Sequence, residues 1–237
     1  MTYKVGVITG ATGGIGAAVA EALSEAGWRL VLSSRSAEKL DALASQLRAP
    51  AAMIPGDLRD GSLPQAMLST AIEQFGRCDL CFNNAGILEV GRIEAIDIER
   101  VCDMVRVNVE GTFRVAYTFL QHFIQEETGH LINVSSVLGK KVRPTAGAYA
   151  ATKFAIEALS EALRMELSKT GVQVSCIQPG LVMSGLHDRW EVHPSELLGI
   201  EEPLLPADIA RMVLFLLEQP SRVRIPQLTI LPKGHEI

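Results

Sequence analysis

The sequence predicts an α/β fold, in which one doubly wound parallel sheet of about seven strands carries helices on both of its faces. Short apolar runs typical of buried strands alternate from end to end with runs that have helical periodicity. A glycine-rich turn, TGATGGIG, stands between the first apolar run and the first helical run. No linker, repeat or low-complexity tract divides the 237 residues. Residues 1–237 are therefore predicted to form a single domain.

The predicted elements follow in a regular order. The first three strand and helix pairs are KVGVIT with GIGAAVAEALSEAG, RLVLSS with SAEKLDALASQL, and AAMIPGD with LPQAMLSTAIEQFG. The strand CDLCFNNAG then precedes a long helix over about Ile98 to Glu126, and the strand GHLINVSS precedes a helix over about Ala148 to Lys169. The strand VQVSCIQPG, the helix PADIARMVLFLLEQ and the strand IPQLTIL complete seven strands and six helices.

One long irregular segment interrupts this rhythm, between Pro179 and Pro206. Connections of that length inside a compact domain are usually functional lids or disordered segments. A lid over about residues 184–205 is the better interpretation, because the segment carries large apolar side chains. These are Leu186, Trp190, Leu197 and Leu198.

Charge and hydropathy limit the possible partners. The net charge of −5 and the pI near 5.6 argue against a dedicated surface for nucleic acid or for an anionic membrane. No apolar run approaches the ~18 residues of a membrane span. The strand-like YKVGVIT begins at residue 3, which leaves no room for a signal or transit peptide. We expect a cytoplasmic protein with a small-molecule substrate and no nucleic-acid or membrane partner.

Four cysteines include a C-x-x-C pair, Cys78 and Cys81. Such a pair can be a redox centre or half of a metal site. However, CDLCFNN is typical of a buried strand, in which residues three apart point to opposite faces, and no second Cys/His pair has zinc-like spacing. We therefore expect no metal, and interpret these residues, with Cys102 and Cys176, as small core thiols in a reducing compartment.

The glycine-rich turn spans Thr9 to Gly16, in which Gly10, Gly14 and Gly16 are spaced G-x-x-x-G-x-G. Glycines let the backbone turn tightly and approach a pyrophosphate, while the N-terminus of the following helix supplies N–H groups and a partial positive charge. Because the turn lies between a strand and a helix in the first βαβ unit, it indicates a dinucleotide site.

Tyr149 and Lys153 stand one helical turn apart in YAATK. Residues at i and i+4 share one face of a helix, so the phenol and the ammonium can reach the same small volume. A nearby positive charge favours the anion of a phenol, which ordinarily titrates near pH ~10. The alternative is a Tyr and a Lys on a solvated helix, and the spacing alone does not decide between the two.

Five motifs together favour a catalytic role for Tyr149 and Lys153. TGATGGIG, NNAG at Asn83 to Gly86, NVSS at Asn133 to Ser136, YAATK, and PG at Pro179 to Gly180 occur in one order at compatible spacings. Over nearly the whole chain they resemble the short-chain dehydrogenase/reductase family. The resemblance implies a single Rossmann-type domain, a nicotinamide cofactor, and a catalytic group that maps to Asn108, Ser136, Tyr149 and Lys153.

Each member of this group is expected to have a distinct role. Tyr149 exchanges a proton with the carbonyl or alcohol oxygen as a hydride moves, while Lys153 lowers the Tyr149 pKa and, by resemblance, holds the nicotinamide ribose. Ser136 donates a hydrogen bond to the same oxygen. Ser135 is the competing candidate, although alternation along the strand sends the two serines to opposite sides. Asn108 would help to order a water relay behind Lys153, or is a polar residue on the helix surface.

The resemblance also implies the cofactor contacts. Asp57 would bind the adenine ring, although it could equally cap the helix that starts near Ser62. Asn83 and its followers would line the cofactor side of the fourth strand, and Ser184 replaces a threonine that usually reaches the carboxamide. The expected cofactor-binding residues are Gly10, Thr12, Gly14, Ile15, Gly16, Ser34, Arg35, Asp57, Leu58, Asn84, Ala85, Gly86, Asn108, Tyr149, Lys153, Pro179, Gly180, Val182 and Ser184.

The choice of cofactor rests on the end of the second strand. Members of the family that prefer NAD carry an acidic residue there, which binds a free 2′-hydroxyl and repels a 2′-phosphate. Ser34 stands at that position, and Arg35 follows it with a guanidinium that matches a phosphate. We expect NADP(H) rather than NAD(H). In the alternative, Arg35 merely pairs with a surface Glu.

The predicted function is NADP(H)-dependent interconversion of a carbonyl and a secondary alcohol. One alternative is a 3-oxoacyl-thioester reductase, in which the basic run from Lys140 to Pro144 would attract an acidic carrier. Against it, the chain ends RIPQLTILPKG rather than with the VDGG-like ending of those reductases, and looks more like members that act on small hydroxy acids or broad alcohols. The other alternative is a regulator that senses NADP without turnover, which has no need of all four catalytic residues.

The apolar positions of FAIEALSEALRMEL suit the helix pairing of the family, so a homodimer or homotetramer is expected.

Overall fold

The computed structural model describes residues 3–187, 192 and 194–236. One sheet of seven parallel strands lies at its centre, in the order β3-β2-β1-β4-β5-β6-β7. The strands are β1 (Val5–Thr9), β2 (Arg29–Ser34), β3 (Ala51–Pro55), β4 (Leu80–Asn83), β5 (Gly129–Val134), β6 (Val172–Pro179) and β7 (Gln227–Ile230). The predicted doubly wound parallel sheet is confirmed.

Helices cover both faces of this sheet. They are α1 (Gly14–Glu25), α2 (Ala37–Ala44), α3 (Leu63–Phe75), α4 (Ile98–Val105), α5 (Thr112–Gln125), α6 (Gly147–Glu166), α7 (Pro194–Leu198) and α8 (Pro206–Leu217). One core cluster joins the sheet to α3, α5 and α6, and a second joins it to α1, α2 and α8. Because side chains alternate along a strand, neighbours such as Leu131 and Ile132 enter opposite clusters.

The long helix expected over Ile98 to Glu126 is present, but a π-helical turn over Arg106–Gly111 separates α4 from α5. A π turn holds one extra residue per turn and is common at functional sites. Asn108 is buried in this turn. Gly111 is required there, because a Cβ on it would lie 2.9 Å from Leu58 Cβ.

The irregular segment between β6 and α8 contains a 3₁₀ turn over Gly185–His187 and the short α7. Its two ends are joined by a bridge between Val182 and Leu204. Trp190, on which the lid interpretation partly rested, lies outside the described residues.

The cysteines differ from expectation in two respects. Cys78 precedes β4, and it enters the same core cluster as Cys81 rather than the opposite face. Cys102 is exposed on α4, whereas Cys176 is buried as expected, and all four thiols are free. Among the described residues, no group of three or more His, Cys, Asp or Glu side chains could hold a metal. Nor is any helix in those ranges long and apolar enough to cross a membrane.

Candidate active site

The predicted motifs meet at one edge of the sheet, because the carboxyl ends of parallel strands lie together. TGATGGIG continues from β1, and NNAG, NVSS and PG lie at the ends of β4, β5 and β6. Successive strands run outward in opposite directions from β1 and β4, which are neighbours in the sheet. Such a switch point opens the crevice in which open α/β sheets bind their ligands.

The glycine turn closes tightly on itself beside this crevice. Gly10 has a φ of 63°, and its carbonyl accepts a hydrogen bond of 3.0 Å from the N–H of Gly13. A Cβ on Gly16 would lie 2.9 Å from Ala11 Cα. The N-cap of α1, Gly13, supplies no side-chain cap. The first N–H groups of α1 therefore keep the donors and partial positive charge that bind a phosphate.

Thr9 fastens the NNAG segment to this turn. Its Oγ1 accepts hydrogen bonds of 3.0 Å from the N–H groups of both Asn84 and Ala85. Asn84 Nδ2 in turn donates to the carbonyl oxygens of Thr9 and Gly10, at 3.1 and 3.3 Å. Sequence reasoning gave Thr9 no role, although it is the first letter of the motif.

Asn83 does not line the cofactor side of β4 as expected. It is buried, and its Nδ2 donates to Thr112 O and to Asn133 Oδ1, each at 3.0 Å. The reason is strand alternation: Asn83 is the last residue of β4 and turns towards α5, while Asn84 turns towards the glycine turn.

Tyr149 and Lys153 lie on one buried face of α6, as their spacing predicts. Lys153 Nζ is 5.7 Å from the centroid of the Tyr149 ring and donates a 3.0 Å hydrogen bond to Val134 O, at the end of β5. The Ser136 side chain lies close enough to the Tyr149 phenol to lower the phenol pKa as a hydrogen-bond partner. Ser135 points elsewhere, and its Oγ donates to Lys153 O at 3.3 Å. Geometry therefore brings Ser136, and not Ser135, to the phenol.

Asn108 faces inward rather than to the helix surface. Its Oδ1 accepts from Ile87 N and its Nδ2 donates to Ile87 O, both at 2.8 Å. Nδ2 also donates to Thr152 Oγ1 at 3.3 Å, which ties the π turn to α6 beside Lys153. A Cβ on Gly86 would lie 3.3 Å from Asn108 Oδ1 and 3.8 Å from Lys153 Nζ. The side chain of Asn108 thus positions the segment after β4 against the lysine.

Asp57 is held by a neighbouring arginine. Its carboxylate accepts from the backbone N–H, Nε and Nη2 of Arg59, at 2.9, 3.0 and 2.8 Å. These bonds hold the Asp57 pKa below its usual range, and the charge of Arg35 adds to the effect. Asp57 does not cap α3, whose N-cap residue Ser62 makes no side-chain capping bond; Asp60 accepts a 2.9 Å hydrogen bond from the N–H of Ser62.

Other expected cofactor contacts are distributed along the crevice. A Cβ on Gly14 would lie 3.1 Å from Ser184 Cβ, so the segment after β6 reaches the glycine turn. Leu58, by contrast, is buried in the core, so its side chain does not face the crevice. Arg35 is exposed at the end of β2, and none of the ion pairs within the described ranges involves it. The expected alternative, a surface Glu partner for Arg35, is not seen there.

Residues 4–193 match the family model described as short chain dehydrogenase. The chain belongs to the short-chain dehydrogenase family.

Its relatives include enzymes with bound nicotinamide cofactors. An uncharacterized oxidoreductase of Staphylococcus epidermidis is 36% identical over 229 residues, which cover 97% of each chain. An alcohol dehydrogenase from the archaeon Thermococcus sibiricus, complexed with 5-hydroxy-NADP, has a TM-score of 0.88 at 28% identity over 100% of this chain and 99% of that one. A 3-ketoacyl-(acyl-carrier-protein) reductase from Brucella melitensis, complexed with NADH, has a TM-score of 0.89 at 25% identity over 98% of each chain.

Burial sets the protonation of the two central groups of this short-chain dehydrogenase. It raises the pKa of Tyr149 to about 12, against the opposing hydrogen bond from Ser136. It lowers the pKa of Lys153 to about 8, although Cys176 and Glu157 both act in the opposite direction. The expected lowering of the Tyr149 pKa by Lys153 is therefore not seen. Desolvation of a phenolate dominates, since the ammonium lies by the ring and bonds to Val134 O rather than to the phenol.

A buried polar network lies one helical turn beyond Lys153 and is centred on Glu157. Glu157, one helical turn after Lys153, accepts from Gln178 Nε2 at 2.7 Å and from Cys176 Sγ at 3.4 Å. Gln178 directly precedes Pro179 at the end of β6. Glu157 thus links α6 to the strand end that carries PG. Sequence reasoning missed it, although its i+4 spacing from Lys153 was a usable signal.

Proposed function

We propose that this short-chain dehydrogenase interconverts a carbonyl and a secondary alcohol with NADP(H). The observation that carries the proposal is the buried Tyr149 phenol, which lies beside Ser136 and 5.7 Å from Lys153 Nζ by its ring centroid, at the edge of the sheet that carries the switch point. The uncapped start of α1 and the tight glycine turn fit a dinucleotide. When bound, a nicotinamide supplies or accepts the hydride.

Three side chains of the protein transfer the proton and stabilise the phenolate that the transfer leaves. With a pKa of about 12, Tyr149 stays protonated near neutral pH and can donate its proton to a carbonyl oxygen. Ser136 is placed to hydrogen-bond that same oxygen. Lys153, with a pKa of about 8, remains mostly an ammonium at pH 7 and stabilises the phenolate that the transfer leaves. In the alcohol direction, the phenolate takes the proton back.

The preference for NADP(H) rests on Ser34 and Arg35. The end of β2 carries Ser34 in place of an acidic residue, so no carboxylate at that position repels a 2′-phosphate. Arg35 is exposed and is close enough to Asp57 to lower the pKa of that carboxyl group. A phosphate between β2 and β3 would therefore meet a guanidinium whose charge is not neutralised by a direct ion pair.

A panel of carbonyl compounds tests the proposal. Wild-type protein is mixed with NADPH and short ketones, oxo acids or 3-oxoacyl thioesters, and loss of nicotinamide absorbance is followed. The expected result is turnover of a ketone or oxo acid that disappears in Tyr149→Phe. Turnover of the thioesters alone would favour the 3-oxoacyl reductase, for which the Brucella relative is a precedent. Tight NADPH binding without turnover of any carbonyl would favour the regulator.

We further propose a homodimer or homotetramer in the cytoplasm. Large apolar side chains lie exposed on the two longest helical stretches, which the family pairs between subunits. They are Val105, Tyr117 and Ile124 along α4 and α5, and Phe154 and Met165 on α6. Light scattering tests the assembly, and Tyr117→Glu should produce monomers.

The lid over residues 184–205 also remains a proposal, and hydrogen exchange with and without cofactor and substrate tests it.

A further inference from the structure

Arg143 lies on the short connection between the two residues that hold the reacting oxygen. This connection runs from Ser136, through a 3₁₀ turn over Val137–Gly139, to the start of α6 and Tyr149. The carbonyl of Arg143 accepts from Ala146 N at 3.3 Å. This hydrogen bond fixes the backbone of Arg143 directly before the first turn of α6.

The chain is strained next to Arg143. Thr145 has a φ of 68°, a left-handed conformation that is unusual for a β-branched residue. Its carbonyl accepts a 3.0 Å hydrogen bond from Gly91 N, which joins the connection to the segment after β4. Strain of this kind persists where the surrounding structure fixes the backbone, and it concentrates at ligand sites.

The side chain of Arg143 is oriented by His235 near the end of the chain. Arg143 Nη2 is 3.1 Å from His235 Nε2. On the other side of the ring, His235 Nδ1 would lie 2.7 Å from a Cβ on Gly180, so a side chain could not replace glycine there without displacing the histidine. Arg143 thus contacts a histidine whose ring lies beside Gly180, the residue that follows β6. Gly180 and the connection that carries Arg143 both lie at the edge of the sheet that holds the candidate active site.

His235 orients the guanidinium without neutralising it. Burial and the charge of Arg143 both lower the His235 pKa, so the ring is neutral at pH 7 and accepts the Arg143 N–H through Nε2. None of the ion pairs formed within the described part of the chain involves Arg143. Nine other arginines do pair with carboxylates: Arg48, Arg59, Arg77, Arg92, Arg100, Arg106, Arg114, Arg164 and Arg211. A half-buried guanidinium with a neutral partner keeps its charge available for an anion.

We propose that Arg143, oriented by His235, binds the carboxylate of the substrate, which is then a small oxo acid or hydroxy acid. The proposal rests on the proposed carbonyl and alcohol chemistry and names its substrate class. A carboxylate suits the planar fork of a guanidinium, which can form two parallel hydrogen bonds. The anchored end of the substrate would leave its carbonyl free to reach Tyr149 and Ser136.

Matched substrates separate this proposal from a purely structural role. Wild type and Arg143→Gln are assayed with NADPH on a short oxo acid and on its methyl ester, which has the same carbonyl without the charge. Loss of a charge-assisted hydrogen bond should raise KM for the acid about ten- to a hundred-fold and change KM for the ester less than about threefold. Arg222→Gln, which removes the same charge from an exposed position, should change neither value.

Other outcomes would overturn the proposal. If Arg143→Gln raises both KM values equally, Arg143 only clamps the end of the chain. If wild type prefers the ester, the carboxylate site does not exist, while the carbonyl chemistry stands. If neither compound is reduced, calorimetry of the oxo acid with the NADPH complex decides, because the site requires binding that weakens in Arg143→Gln. Absent or equal binding overturns the site, and the missing turnover counts separately against the proposed function.

Discussion

Replacing Gly16 with alanine should destabilise the fold and weaken cofactor binding together. The new Cβ would lie 2.9 Å from Ala11 Cα and 3.0 Å from the carbonyl carbon of Gly10, inside the 3.4–4 Å of ordinary contact. Both atoms belong to the backbone and cannot rotate away. Inserting a carbon into such a site costs about 1–3 kcal/mol, and the higher helix propensity of alanine returns about 1 kcal/mol. Because the closest contact, with the carbonyl oxygen of Gly10, can be relieved only by backbone movement, the cost falls in the upper part of that range, and we expect a net loss of about 1–2 kcal/mol.

The cofactor should respond to the same displacement. Gly10 and Gly16 fix the distance between the turn and the first N–H groups of α1, so widening the turn moves the phosphate donors. A loss of about 1.4 kcal/mol in binding is a tenfold rise in the NADPH Kd. For a chain of this size, the loss of stability should lower Tm by about 2–8 °C. Urea unfolding followed by circular dichroism and fluorescence titration with NADPH measure the two effects.

Gly147→Ala is the matched control. Gly147 is the first residue of α6, and apart from its chain neighbours and its own helix backbone, no heavy atom of the described residues lies within 4 Å of a Cβ there. The same substitution should therefore raise stability by about 0.4–1 kcal/mol by restricting the unfolded chain, and leave NADPH affinity unchanged. If Gly16→Ala unfolds at the wild-type urea concentration and binds NADPH with the wild-type Kd, the close approach of the turn is not what the glycine serves.

Three further predictions follow from the site and from the core. Tyr149→Phe should abolish turnover while leaving the NADPH Kd within about threefold, because it removes the transferable proton and little else; wild-type turnover in this variant would defeat the mechanism. Ser34→Asp combined with Arg35→Ile should shift the ratio of NADPH to NADH affinity by about ten- to a hundred-fold towards NADH, the value of a charge-assisted contact; an unchanged ratio would show that Arg35 takes no part in cofactor choice. His130 is buried against Ser175, and burial lowers its pKa to about 3. The unfolded chain takes up a proton near pH ~6.5 and the folded chain does not, so its stabilising contribution is complete above that pH and falls by about 1.4 kcal/mol per unit below it. Urea unfolding between pH 6.5 and 5 should therefore show a shallower pH dependence in His130→Asn, and parallel curves would contradict the assignment.

The sequence was sufficient for the features that depend on residue type and period. Alternating apolar runs predicted the number of strands and their order along the chain, and the motifs lie at strand ends, which converge in a parallel sheet. The orientation of Asn83 was not predictable, because it depends on Thr112, a partner far along the chain. The hydrogen bonds from Arg59 to Asp57 were not predictable either, because they depend on the rotamer of Arg59. We expected a lowered Tyr149 pKa, whereas burial raises it. The spacing of Tyr149 and Lys153 reveals a neighbouring charge but not the depth of burial, which has the larger effect.

The π turn over Arg106–Gly111 bears on which insertions and deletions this protein can tolerate. The turn accommodates one extra residue, so removing one residue from it would restore a continuous α-helix and leave α5 in its present register. Asn108 would then lose its register with Ile87. A deletion within α5 itself would instead rotate the residues beyond it by about 100°, and part of the apolar face that holds the fully buried Phe119 and Phe123 would turn to solvent. The π turn is therefore the place in this long helix where a one-residue deletion would spare the packing of α5 and remove the contact made by Asn108.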